Sequence, residues 1–487
     1  MGSRTTQARW VQHPGVIAVG FVLLAMAAYS RVLDGWFLSD DDMLGQVIPD
    51  GRHVAWAHVA RVFHMDWGER GDWAPVRYYR PLVIVSQALD ATLWGIRPFG
   101  YHLTNAVLHG INGFLLYRIA RTLGAGSATA LFAGAAFVAF PWCPESVAWI
   151  SGRTDVLAAT GTLSGLAFHL EARAATGRRR LRLIAGSLAG YSLGLLSKEA
   201  AFPLPLMVVG VDLVSGFERR ALRRSVVRIL PVWALFGAVA AGYLWLRSTA
   251  LGNFWGGDQR EFYGHRGSWS ERLVENWTQN LRLLFTPYNR EAVTGGGRTY
   301  AVACLLGGIA VAVGLGLAVL ARASRPRLII AGFVLLVASI APFAVGIHVE
   351  TNLDNARLLY LFTAFFCLLL ASVLAPAWER PSSLAPAGAL LALLTALLMK
   401  NLTPWVEASD IMRRITKTYE DAFGTYSGEG IEDLPQKHHG AYMALYNAAT
   451  MARPFILAPP KLDAVAAKRA VYDRRAGDVR VVPDPVG

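Results

Sequence analysis

The chain has 487 residues, 54% hydrophobic and only 17% charged, so it is too apolar for an ordinary soluble surface and too long for one small domain. A formal charge of +13 would suggest nucleic acid in a soluble protein, but much of the Arg sits in short turns between apolar blocks, which excludes a nucleic-acid partner in favour of a membrane. Cys143, Cys304 and Cys367 are scattered without metal-ligand spacing.

The first apolar block, 16–32, is longer than a signal-peptide core and no small-residue cleavage site follows it, so it predicts a retained first helix with a cytoplasmic N-terminus. Further blocks lie at 130–140, 183–196, 229–246, 301–320, 328–347, 358–374 and 385–399. Most are long enough to cross roughly 30 Å of hydrocarbon, and flanking Gly, Ser and Thr complete the shorter ones. The expected fold is an all-α polytopic membrane protein of roughly eleven transmembrane helices. Residues 1–400 form its membrane domain.

Basic turns at Arg118 and Arg121, Arg173 to Arg182, Arg219 to Arg224, Arg322 to Arg327 and Arg380 are expected on the cytoplasmic side. The connections 34–100, 141–154, 197–202, 248–298, 347–357 and everything from 401 onward then fall outside. Two of these, 34–100 and 248–298, are long, so chemistry is expected on that face. In the first, Trp67, Trp73, Tyr78 and Tyr79 suit short helices at headgroup level. The stretch 81–94, interrupted by Gln87 and Asp90, predicts an interfacial or re-entrant helix. Past Met399 the hydropathy collapses, and 401–487 predicts a small, mainly helical outer-face appendage. In it Val406, Ile411, Ile415, Tyr419 and Phe423 recur near helical period. Arg outnumbers Lys and Ala and Gly abound, which suits a GC-rich bacterial gene and an inner-membrane address.

Three consecutive carboxylates, Asp40, Asp41 and Asp42, follow the first helix. Adjacent carboxylates repel, which raises the pKa of at least one, and such a group can act as a general base or hold a divalent cation. No obligatory cofactor or metal is expected. The bland alternative is a solvated acidic loop or helix cap. At the next outer turn, 140–155 places Glu145, Arg153 and Asp155 near one level, where an ion pair tying two helix ends is the competing reading. Lys198 lies in the third outer turn and Arg357 in the fifth, as phosphate ligands or as interfacial anchors. His102, Asn105 and His109 share one helix face, and interhelical hydrogen bonds outweigh metal binding there.

Several segments together resemble one family. They are Phe37 to Asp42; Tyr79, Arg80, Pro81 and Leu82; Pro98 to Leu103 with Asn105 and His109; Pro141 through Glu145 to Asp155; Leu196 to Glu199; and Arg357 with Tyr360. In this order they resemble bacterial relatives of the transmembrane O-mannosyltransferases that carry tetratricopeptide repeats, within the GT-C superfamily of polyprenyl-phosphate-sugar-dependent glycosyltransferases. No repeat of that kind is visible in the tail. Ala356 and Leu358 stand where relatives tend to have Glu and Tyr.

The resemblance implies transfer of a sugar from a polyprenyl-phosphate donor to an acceptor glycan, protein or lipid, among membrane lipids. It implies a catalytic Asp in the first outer loop, carried here to Asp41 with Asp42 and Asp40 as close alternatives and Glu145 beside them. Such chemistry needs a base for the acceptor hydroxyl and cations for the departing phosphate. Arg153, Lys198, Arg357 and Arg80 are the candidate cations, and His102, Tyr79, Glu199 and Tyr360 the candidate pocket residues. The expected displacement is single and inverting. A transporter or flippase of lipid-linked sugars is the rival, disfavoured because the charges gather at one face instead of the bilayer midplane. A nonenzymatic scaffold would leave the three carboxylates unexplained.

Overall fold

A helix in lipid must satisfy its own backbone, so its ends fall where Pro removes a donor or Gly takes up a backbone that side chains avoid. The computed structural model describes residues 13–49, 51–66, 78–216, 222–252, 269–285, 287–291, 326–341, 344, 346–378, 384–423, 431–432, 437–442, 468–473 and 478–483. Its helices are α1 (Pro14–Ala28), α2 (Leu44–Val47), α3 (Trp56–Arg61), α4 (Pro81–Trp94), α5 (Pro98–Thr122), α6 (Ser127–Val138), α7 (Pro144–Val147) and α8 (Arg153–Ala172). They continue as α9 (Gly177–Leu195), α10 (Leu204–Gly216), α11 (Leu222–Leu251), α12 (Trp269–Phe285), α13 (Pro326–Ile340), α14 (Tyr360–Trp378) and α15 (Leu384–Phe423). Pro opens α1, α4, α5 and α7, where its missing N–H is one of the orphans anyway. Gly95, at φ +59°, ends α4.

The protein is an all-α, multi-pass membrane bundle. Among the described residues, three helical stretches are long and apolar enough to cross a bilayer: Ile229–Leu251, Ala356–Leu374 and Pro386–Thr418. Four shorter helices, α1, α4, α6 and α13, are also apolar. Helices α5, α8 and α9 are long but turn polar groups inward: Asn105, His109, Asn112, Thr162, His169 and Ser187 are all buried. The expected block 301–320, Trp67, Trp73 and residues 253–268, 286 and 292–298 of the second long connection lie outside the described residues.

Small residues let α8 and α9 approach closely. A Cβ built on Gly161 would lie 2.3 Å from the Gly194 backbone nitrogen, and one on Gly190 2.8 Å from that of Gly165. Gly161→Ala must therefore push two backbones apart, an overpacking cost of about 1–3 kcal/mol. A lower Tm in detergent is expected; an unchanged Tm would mean that the helix pair separates freely.

The connections predicted to share one face do meet. Trp149 bonds to Leu38, Leu82 to Leu196, Asn401 to Pro141 and Pro287, and Arg290 to Thr351. At the opposite end Arg118 pairs with Glu171, while His169, Arg173 and Trp233 converge on Asp212. Residue 400, the expected end of the membrane domain, lies within α15, which runs unbroken through Pro404. Beyond Phe423 the described residues are strands: β1 (Ile431–Glu432), β2 (Lys437–His438), β3 (Ala441–Tyr442), β4 (Lys468–Asp473) and β5 (Asp478–Pro483). They form a three-stranded sheet in the order β1-β4-β5 and a β2–β3 hairpin. The mainly helical appendage expected over 401–487 is thus replaced beyond Phe423, among the described residues, by strands. Val479, Val481 and Val482 favour a pleated chain, and the surrounding charges obscure that preference in a hydropathy profile.

Candidate active site at one end of the bundle

Residues 141–152 join α6 to α8 through two prolines and the single turn α7, so this segment's polar groups cannot all be satisfied within a helix of its own. They reach outward. The Trp149 Nε1–H donates to the Leu38 carbonyl at 3.1 Å. The Ser151 backbone N–H and hydroxyl donate to Asp41 Oδ1 at 2.8 and 2.7 Å. The Leu38 N–H donates to Asp41 Oδ2 at 2.8 Å. Asp41 is thereby held by three donors and buried, while Asp40 is half-buried on the same short turn, Ser39–Met43.

The same segment holds the cations. Glu145 accepts from Arg357 twice, from Nη1 at 2.5 Å and from the backbone N–H at 2.9 Å. The Arg357 guanidinium lies 5.2 Å from the centre of the Trp149 ring, a cation–π distance. Asp155, in the first turn of α8, accepts from Lys198 Nζ through both oxygens at 2.7 Å. Beside Lys198, Glu199 bridges Arg80 at 3.7 Å and Arg247 at 2.5 Å.

Burial pushes the Asp41 carboxyl up to about 7; the Leu38 and Ser151 donors oppose the shift and the charge of Asp40 adds to it. Burial also raises Glu145, with Arg357 opposing. Lys198 is lowered by burial and by the like charges of Arg80 and Arg357, while Asp155 pulls it back. Burial would raise Glu199, but Arg80 and Arg247 outweigh it and hold it below the usual carboxylate range. Arg80 and Arg357 therefore each stand close enough to Lys198 to repel it.

Other predicted site residues lie elsewhere. Arg153 is fully buried and donates to Asp90 at 2.5 Å, to Asn105 Oδ1 at 2.7 Å and to the Tyr101 carbonyl at 2.8 Å. Its guanidinium ties α4 and α5 to α8. The Tyr79 hydroxyl donates to the Phe63 carbonyl at 3.0 Å. The Tyr360 hydroxyl meets His109 Nδ1 at 2.6 Å and accepts from Asn112 at 3.3 Å, inside the bundle. Asn105 donates to the carbonyls of Val147, Trp149 and Ile150, which fixes the hub segment from below. His102 is buried beside Gly35. The side chain of Asp42 lies outside the described residues. Among the described residues, no group of three or more His, Cys, Asp or Glu side chains is arranged to hold a metal ion.

No protein-family model matches the chain. Protein O-mannosyl-transferase Tmtc2 of Drosophila melanogaster is 32% identical over 178 residues, covering 36% of this chain and 18% of that protein. TMTC1 of Mus musculus is 33% identical over 153 residues, 30% of this chain and 16% of that protein. A Caenorhabditis elegans protein O-mannosyl-transferase is 24% identical over 286 residues, 55% of this chain and 37% of that protein. The chain resembles the Tmtc O-mannosyltransferases. It spans less than a fifth of the length of the Drosophila and mouse relatives. Among solved structures, ArnT from Cupriavidus metallidurans bound to undecaprenyl phosphate superposes with a TM-score of 0.48 at 18% identity, covering 78% of this chain and 63% of that one.

Three residues not expected in the site stand beside its members. Trp149 touches both the acidic turn and Arg357. Ser151 fixes Asp41, and Arg247 braces Glu199. Arg247 carried a signal, a lone cation closing an apolar span. Ser151 carried none.

The raised Asp41 carboxyl has a consequence for stability. Its folded pKa, about 7, exceeds the ordinary value of 3.8, so the folded state binds the proton more tightly than the unfolded chain does. That stabilisation is complete below the ordinary value and is lost as pH rises through 7. The Tm should fall between about pH 4 and 7, and Asp41→Asn should flatten that fall. An equally steep fall in the variant would mean that another group carries it.

Proposed function

We propose that the protein is a glycosyltransferase that moves a sugar, of hexose or mannose type, from a polyprenyl-phosphate donor to an acceptor hydroxyl. The observation that carries this reading is one segment, 145–155, that anchors an acidic turn and two cations, Arg357 and Lys198, with Arg80 held beside Lys198 by Glu199. Like charges are costly to gather, and Lys198, Arg80 and Arg357 suit a phosphate that gains charge as it departs.

The acceptor oxygen attacks the anomeric carbon as the bond from that carbon to the phosphate oxygen breaks. The acceptor proton passes to a carboxylate, and the electron pair leaves with the polyprenyl phosphate. A single displacement inverts the anomeric centre. Between Asp40 and Asp41, Asp40 suits the base better: it is half-buried and Asp41 is buried, so an acceptor hydroxyl reaches Asp40 more readily. Asp41 then positions the turn, Glu145 positions Arg357, and Arg153 braces the bundle outside the phosphate set. The address is the bacterial inner membrane, with the N-terminus cytoplasmic and the site, the 401–487 segment and the acceptor on the periplasmic side. The likeness of part of the chain to O-mannosyltransferases supports the class of reaction. The test is release of free polyprenyl phosphate from lipid-linked sugars by the protein in membranes.

A further inference from the structure

The connection 347–357 ends in Arg357, and its backbone is not one that the chain would hold unaided. Leu353 and Asn355 both sit at φ +66°. Asn tolerates that left-handed conformation, but a bulky Leu adopts it only where the surroundings enforce it. Those surroundings come from two distant parts of the chain.

Helix α12 holds the start of the connection. Asn280 donates to the Ile347 carbonyl at 2.8 Å and accepts from the Val349 N–H at 3.1 Å, and just before them the Trp277 Nε1–H donates to the Ala344 carbonyl at 2.8 Å. The β2–β3 hairpin holds the end. Lys437 Nζ donates to Asp354 Oδ2, on a side chain only 9% exposed. Gly440 comes so close that a Cβ there would lie 2.5 Å from the Asn352 carbonyl oxygen.

The hairpin is itself anchored. The His439 carbonyl accepts from Asn289 at 2.6 Å, and His438 Nε2 lies 2.8 Å from Glu407 of α15. Asn289 donates its backbone N–H to Asn401 of α15, which also donates to the Pro141 carbonyl, at the start of the segment that carries Glu145. The hairpin is thus tied to the same scaffold as Glu145, and it meets Asp354 three residues before Arg357. Charge adds to contact: Asp354 stands near enough to Glu145 to raise that carboxyl. With Lys437 as its counter-ion, Asp354 adds less negative charge beside the Glu145–Arg357 pair.

We infer that Lys437 is a positioning residue: through Asp354 it holds the turn that presents Arg357 to the departing phosphate, which makes the hairpin of the C-terminal segment part of the site. Its effect on turnover rests on the proposed transfer; its hold on the turn does not.

The test compares the full-length wild type with Lys437→Gln, a substitution at a side chain 35% exposed, and with Lys437→Arg. Hydrogen exchange in detergent is expected to quicken roughly tenfold at the amides of 350–357 in Lys437→Gln, while α8 and α9 keep their protection and Lys437→Arg restores the turn. The kcat for lipid-linked donor should fall roughly tenfold with KM little changed, because Arg357 acts on charge that develops as the bond breaks. In an Arg357→Met background, Lys437→Gln should lower kcat no further. Unchanged exchange at 350–357, or a further fall in kcat without Arg357, would overturn the inference. Faster exchange confined to 350–357, in a protein whose wild type turns over no donor, would keep the hold on the turn and remove the proposed reaction.

Discussion

Asp40→Asn is expected to lower donor turnover by roughly 10²–10⁴-fold, the usual worth of a positioned general base. Asp40 sits half-buried on the Ser39–Met43 turn, and the amide keeps its shape while losing the proton acceptor. Asp41→Asn should do less to the chemical step. The amide presents one acceptor oxygen where the carboxylate now takes donors on both, so either Leu38 or Ser151 loses its bond and the turn loosens. Initial rates at matched protein levels, with Tm measured beside them, separate the two effects. A rate lost in Asp41→Asn and kept in Asp40→Asn would move the base to Asp41. Its raised pKa would then appear as a rate that climbs with pH through about 7.

Arg357→Met has the next largest expected effect, about 10²–10³-fold in turnover, if its guanidinium stabilises the departing phosphate. The substitution also strands Glu145, a buried carboxylate whose paired oxygens accept from Arg357 at 2.5 and 2.9 Å. Breaking a buried pair from one side costs about 3–5 kcal/mol, and less here because Arg357 keeps 23% of its side chain exposed. Arg357→Met with Glu145→Gln should recover most of that stability, because the stranded charge is gone, without recovering turnover. Turnover restored along with stability would reduce Arg357 to a structural partner of Glu145.

How much of this was legible beforehand follows from the kind of signal each feature leaves. Apolar blocks separated by basic turns place the helices and gather the right connections at one end, because the cost of charge in lipid is written locally in the chain. Acidic residues at helix ends are equally visible, so Asp40, Asp41, Glu145 and Asp155 stand out. Their partners do not. Glu145 pairs across 212 positions with Arg357, and Arg153 turns away to Asp90, so the competing reading of a local Glu145–Arg153 pair does not hold. Trp149 reads as one more apolar residue until its indole N–H is seen holding the acidic turn and its face is seen carrying Arg357. Tyr79 and Tyr360 look like pocket residues beside charged neighbours, yet their hydroxyls are used inside the protein. Pairings between distant segments decide which charges are free for chemistry, and only the folded chain supplies those pairings.

The proposed reaction brings the acidic turn and the three cations to one lipid-linked sugar. Its most direct test presents a panel of polyprenyl-phosphate sugars to membranes containing the protein and follows free polyprenyl phosphate. Release with at least one donor, abolished in Asp40→Asn protein that inserts normally, is the predicted result. Movement of an intact donor across the membrane without release of polyprenyl phosphate would contradict the claim and make the protein a transporter.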